Sequence, residues 1–235
     1  VNTRKFAEKT IKAISHRQFN PLPGENCERC DYQAICTSAL VGVRQASFAN
    51  IRFCVIDFET TGLDPKKDEI IEVGAVHVQH YKLGRTFHTL VQPRSRLIST
   101  EIAKITGLNM DMLIDSPFVD EVKANFQRFI GKSVLVEHSR SKFDLKFLKN
   151  AFGIIRSRHH LNTLQLSKLL FPKEEKDDLE SICKRLRIQL REHHHALDDA
   201  KATANVLNKF LKLLEEKGYS CFDDLKKTEG VIRWL

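Results

Sequence analysis

Residues 51–58 are apolar at six of eight positions, the pattern of a strand buried in a sheet. Ile70–Gln79 alternates enough for a second strand and residues 84–92 for a third. Their close spacing predicts an antiparallel meander. Residues 99–106 read as a short helix, capped by Ser99 or Thr100 and ended by Gly107. Apolar residues then recur at Phe118, Val122, Phe126 and Phe129/Ile130, which makes 117–130 a helix. A short buried strand over 133–136 precedes a helix over 142–152. Further helices fall at Thr163–Leu170 and 178–186, and a long one runs over 196–217. Strands first, then helices alternating with short strands, predict an α/β fold: a mixed sheet flanked by helices.

The first 46 residues differ from the rest. Phe6, Ile11 and Ile14 outline a weak amphipathic helix that Pro21-Leu22-Pro23-Gly24 stops. Cys27-Glu28-Arg29-Cys30 follows, with Cys36 six residues on. Three thiolates so close could hold a zinc ion or an iron–sulfur cluster, each of which usually takes four protein ligands. The stretch from Phe19 to Cys36, with Tyr32 and Ile35 between the thiols, resembles the tail of RecB-like iron–sulfur nucleases. In that family a fourth cysteine lies far upstream. Here either that ligand belongs to a preceding segment or the stretch binds no metal, and His16 could substitute in a zinc site. The chain opens on Val1, as a piece of a longer polypeptide would. Residues 43–50 form a polar connection, so two domains are expected: a cysteine-containing appendage over 1–46 and a larger domain over 47–235.

Candidate chemistry changes the picture of the first strand. Asp57 and Glu59 are one residue apart, so both project from one face of the strand while Ile56 and Phe58 project from the other. Paired like charges there are unfavourable unless a cation lies between them. On the 142–152 helix, Asp144 falls among Phe147, Leu148 and Ala151, opposite Lys142, Lys146 and Lys149. A carboxylate on an apolar stripe costs several kcal/mol unless it is paired with a buried Lys or Arg or binds a metal. On the long helix, Asp198 shares a face with Lys201, Asn205, Asn208 and Lys212, which reads as solvated. Asp199 turns inward with Thr203, Val206 and Phe210, and Ala200 and Ala204 allow close approach to the sheet. Asp198 therefore reads as a favourable charge near a helix N-terminus, and Asp199 as a metal-ligand candidate. Periodicity does not choose among His193, His194 and His195, any of which could accept a proton beside a metal site.

A net charge of +8, with sixteen Lys and Arg against seven Asp and Glu between Lys123 and Arg191, points to a polyanionic partner such as nucleic acid. No apolar run approaches the ~20 residues of a membrane span, so no membrane partner is expected. Six cysteines are too sparse for a disulfide scaffold, which fits reduced thiols and a cytoplasmic location.

These motifs together resemble the DEDDh, or DnaQ-like, family of 3′–5′ exonucleases, typified by the proofreading epsilon subunit of bacterial DNA polymerase III. The first family motif matches Val55-Ile56-Asp57-Phe58-Glu59-Thr60-Thr61-Gly62-Leu63, and the second matches Phe143-Asp144-Leu145-Lys146-Phe147-Leu148. The third, His-x-Ala-Leu-x-Asp-Ala, matches His194, Ala196, Leu197, Asp199 and Ala200, and so selects His194. Ile102 to Leu108, with Thr106-Gly107, is similar to the family's loop after the third strand. The likeness runs from about residue 51 to 214. Two departures stand out: His138-Ser139-Arg140-Ser141-Lys142 is one residue longer than the family's approach to the second motif, and Asn162 stands where an Asp is common.

The resemblance implies an RNase H-like fold and two Mg²⁺ or Mn²⁺ ions held by Asp57, Glu59, Asp144 and Asp199, with Asp57 bridging both. It implies His194 as general base, and Thr60, Thr61, Gly62 and Leu63 as contacts to the terminal nucleotide. The expected reaction is release of nucleoside monophosphates from the 3′ end of DNA, single-stranded by expectation, in replication or repair. The expected partners are a polymerase or a fused nuclease or helicase module. Trimming of RNA 3′ ends and a non-catalytic nucleic-acid-binding module are the alternatives.

Overall fold

Both edges of strand β1 (Phe53–Thr60) are paired, which puts it inside a six-stranded sheet. The computed structural model describes residues 46–94, 97–153, 159–190, 194–225 and 232–234. β1 runs antiparallel to β2 (Ile70–Gln79), which in turn pairs antiparallel with β3 (Lys82–Leu90). On its other side β1 runs parallel to β4 (Val134–Glu137), followed by β5 (His159–Asn162), also parallel, and an antiparallel β6 (Ile232–Trp234). The mixed sheet and its opening meander agree with the sequence pattern. β5 and β6 add to it, because runs of four and three residues are too short to show a period.

Among the described residues the helices are α1 (Thr100–Thr106), α2 (Met110–Leu113), α3 (Val119–Ile130), α4 (Phe143–Phe152), α5 (Thr163–Leu170), α6 (Leu179–Leu186), α7 (Ala196–Glu216) and α8 (Phe222–Leu225). Cys54, Ile56 and Phe58 of β1 join Val73 and Ala75 of β2 in a core with Phe126 of α3 and Leu148 and Phe152 of α4. Phe126 anchors that core, with ring centroids 4.9 Å from Phe152, 5.0 Å from Phe87 and 5.9 Å from Phe58. Aromatic rings at these spacings bury much area and fix the layer geometry. Against the opposite face lies α7, a helix about 31 Å long at 1.5 Å per residue, which packs on β1, β2 and β3. Ala196, Ala200 and Ala204, spaced one turn apart, are fully buried. Side chains this small let α7 lie close to the strands.

Two local readings need correction. β3 begins at Lys82 rather than 84, because His80 and Tyr81, at φ 51° and 58°, make a two-residue hairpin turn. Gly and Asn are the usual signals for that turn, and this hairpin has neither. Asn208 is buried rather than solvated, and its Nδ2 donates to the Tyr81 carbonyl at 3.0 Å. The hairpin reaches over α7 and covers it.

Among the described residues, Cys54, Cys183 and Cys221 are free thiols. Cys27, Cys30 and Cys36 lie outside the described residues, as does His193. No helix among the described residues is long and apolar enough to cross a membrane.

Candidate active site

In the β1–β2 register Asp57 faces Gly74 and Glu59 faces Glu72, and directly opposed residues share a sheet face. That face carries α7. A Cβ on Gly74 would lie 2.1 Å from the Ala196 carbonyl carbon and 2.4 Å from the Leu197 nitrogen. Only glycine leaves room for the first turn of α7 to rest on the strand beside Asp57. The turn delivers Asp199, buried at 4% exposure, toward the strand carboxylates. One ligand atom from each of Glu59, His194 and Asp199 lies within 4.8 Å of the others. His194, at a left-handed φ of 68°, donates its backbone N–H to Asp199 Oδ2 at 2.9 Å.

Asp144 arrives from the other layer. Parallel pairing of β1 with β4 runs only from Phe53↔Val134 to Val55↔Val136. Beyond it, the Phe58 N–H donates to Asp144 Oδ1 at 3.0 Å. This bond pins the first turn of α4 to β1 between Asp57 and Glu59. A second clamp holds the same turn, because the Leu145 N–H donates to Glu137 Oε2 at 3.1 Å. Glu137 is fully buried at the end of β4. Its Oε1 lies 2.9 Å from His160 Nε2, within ion-pair range but not aligned as a hydrogen bond.

The gathered charges disturb one another. Burial, followed by the charges of Asp144, Asp199, Glu59 and Glu72, raises the Asp57 carboxyl well above its ordinary range. Burial, followed by Glu72, Asp199 and Asp144, pushes Glu59 up to about 8. Burial and then Glu137 raise Asp144, against the opposing pull of the Phe58 N–H. Carboxyls that resist ionisation together are a donor set suited to a hard divalent cation, which removes the repulsion and accepts oxygen ligands.

The loop after β1 is tightly self-bonded. Thr60 Oγ1 donates to the Gly62 carbonyl at 2.6 Å, and Thr61 Oγ1 accepts the Glu69 N–H at 3.0 Å. Both threonines are buried, whereas Leu63 is 82% exposed. A Cβ on Gly62 would fall 2.5 Å from the Asp68 carboxylate, so any larger residue there must displace that side chain. Asn162 caps α5 through the Leu164 N–H at 2.9 Å and donates to the Ser139 carbonyl at 2.7 Å. It thereby holds the lengthened 138–142 loop. Sequence reasoning missed Glu72, Gly74 and Glu137. A polar residue within the apolar run of β2, and one directly ending the apolar run of β4, were the available signals for the two glutamates.

A mixed sheet with carboxylates gathered at the end of its central strand is the architecture of RNase H-like nucleases. Residues 54–207 match the family model described as Exonuclease, and the chain belongs to that family. It is 38% identical over 191 residues to a DNA polymerase III PolC-type of Thermotoga petrophila, an alignment covering 80% of this chain and 14% of that protein. The chain spans 12–14% of the length of such relatives. Its fold is also that of Exonuclease X in complex with 5′ overhanging duplex DNA (TM-score 0.58, 24% identity, 72% of this chain and 95% of that one). The nuclease domain of 3′hExo, a DEDDh family member bound to rAMP, gives a TM-score of 0.61 at 19% identity, covering 74% of this chain and 97% of that one. The chain carries an exonuclease domain of this family, with the fold that these nucleases share.

Proposed function

We propose that this domain removes nucleoside monophosphates from the free 3′ end of DNA, with Mg²⁺ or Mn²⁺ held by Asp57, Glu59, Asp144 and Asp199. The observation that carries the reading is the convergence of Asp199 from α7 and Asp144 from α4 on β1, where Glu59 is pushed up to about 8. An all-oxygen set favours Mg²⁺ or Mn²⁺ over zinc. Such ions supply activation of a water and neutralisation of charge at the leaving oxygen. His194 takes the proton from that water, its backbone fixed to Asp199. Thr60 to Leu63 contact the terminal nucleotide, with exposed Leu63 offered to the base and the self-bonded loop holding it there.

DNA is favoured over RNA by the relatedness to polymerase III PolC-type proteins, and a polymerase is the partner this reading expects. A ribonucleotide in the 3′hExo domain makes RNA the second reading. A soluble cytoplasmic setting belongs to the same proposal. The test is degradation of matched 5′-labelled DNA and RNA single strands with Mg²⁺, Mn²⁺ or a chelator. Stepwise shortening of DNA that stops with the chelator and in Asp57→Ala is expected. Intact DNA in every metal condition would overturn the reading, and faster RNA shortening would move it to RNA.

A further inference from the structure

A cavity of about 650 Å³ runs along the face of α7 turned away from Asp199. The hairpin residues Tyr81 and Leu83 wall one side and residues 187–189, after α6, the other. Its charged lining is Arg187, Lys201, Lys209 and Lys212, with Asp198 as the one carboxylate. Asp198 pairs with Lys201 at 3.2 Å, so the excess positive charge lies farther along the helix. Lys209 donates to the Leu186 carbonyl, and the Lys212 ammonium lies 5.6 Å from the Tyr81 ring centroid. The cations are thereby held in place along the groove. Lys201 to Lys212 spans about 16 Å of helix axis. Buried Asn208 lines the same cavity, and its Nδ2 is committed to the Tyr81 carbonyl. That bond fixes the amide orientation and leaves Oδ1 with no donor among the described residues.

We propose that this groove binds the phosphate backbone of the nucleic acid beyond the nucleotide being removed. The inference rests on the exonuclease reading, and it adds a second contact surface to the same substrate. The groove begins at Asp198, the chain neighbour of Asp199, so a strand leaving the candidate active site reaches it by passing around the first turn of α7. The excess positive charge of Arg187, Lys209 and Lys212 matches a polyanion, and 16 Å is the axial rise of about five phosphates of one strand in a duplex at 3.4 Å each.

The experiment compares the native protein with the charge-reversed variant Arg187→Glu/Lys209→Glu/Lys212→Glu and with its neutral counterpart carrying Gln at the same positions. Binding of a long single strand is followed by fluorescence anisotropy across salt concentrations, and hydrolysis of the long strand and of a dinucleotide is measured with Mg²⁺. Each lost phosphate contact lowers the slope of log affinity against log salt by about 0.7, so the slope falls by about two. Long-strand affinity drops about tenfold or more in the reversed variant, while dinucleotide hydrolysis stays at the native rate. An unchanged salt slope overturns the proposal. Equal loss on the dinucleotide in the neutral variant also overturns it, because the groove would then be acting through the fold. If the native protein cleaves neither substrate, the exonuclease reading fails, and the anisotropy slope still judges the groove.

Discussion

Glu72 stands opposite Glu59 across the β1–β2 ladder and divides its carboxylate between two partners, His88 Nε2 at 2.7 Å and the Ala196 N–H at 3.2 Å. It joins the strand that carries the candidate metal ligands to the first turn of the helix that carries Asp199, while its charge helps raise Glu59.

Glu72 has separable mechanical and electrostatic roles. Glu72→Gln keeps an oxygen for the Ala196 N–H and removes the charge, so the Glu59 carboxyl moves down from about 8 toward its ordinary value. Carbon NMR titration of Glu59 reads that shift. Glu72→Ala leaves the buried Ala196 N–H without its acceptor and costs ~1–3 kcal/mol, measured by denaturant unfolding.

Stability of the metal-free protein falls as pH rises. An unfolded Glu59 ionises near 4.5 and the folded one near 8, so between these values the folded state binds more protons than the unfolded state. The linkage slope is then negative: the stability is fully present below about 4.5 and is lost as pH climbs through about 8. Asp57 and Asp144, both raised, act in the same direction. Thermal unfolding in chelator should give a higher Tm at pH 5 than at pH 8. Added Mg²⁺ binds the ionised carboxylates, so its stabilisation should be larger at pH 8.

The strand carboxylates were legible because period two is rigid: Asp57 and Glu59 must share a face wherever the strand lies. Asp144 and Asp199 were legible because a charge on an apolar helical stripe demands a reason, and both are 4% exposed. What joins them was not legible. The Phe58 N–H that holds Asp144 depends on where β1 stops pairing with β4, a tertiary fact that no local pattern encodes. Gly74 reads as an ordinary weak point in a strand until α7 is seen resting on it. Asn208 shows the reverse failure, a polar residue that helical phase puts toward water and a neighbouring hairpin covers.

Gly74→Ala tests the close approach. The added methyl would fall 2.1 Å from the Ala196 carbonyl carbon, which is backbone and cannot rotate aside. The first turn of α7 must move, taking Asp199 and His194 away from Glu59. Overpacking of this kind costs about 1–3 kcal/mol, and a displacement near 1 Å at reacting groups costs about 10²-fold in rate. The expected variant is folded by circular dichroism, has a lower Tm, and is about a hundredfold slower on DNA. A native rate would show that the helix can shift without carrying the site with it.

Asp144→Asn should make the metal-free protein more stable and the enzyme inactive. Asparagine keeps the carbonyl oxygen that accepts the Phe58 N–H, so the bond between α4 and β1 survives. The substitution removes a buried negative charge that raises both Asp57 and Glu59 and that Glu137 opposes. Relief of ~1 kcal/mol corresponds to a Tm increase of about 2–4 °C for a chain of this size. In chelator at pH 8 the variant should therefore melt a few degrees above the native protein. In saturating Mg²⁺ the order should reverse, because the native protein gains from cation binding and the variant lacks one candidate ligand. A variant less stable than native in chelator would show that Asp144 holds the fold as a charge rather than as a hydrogen-bond acceptor.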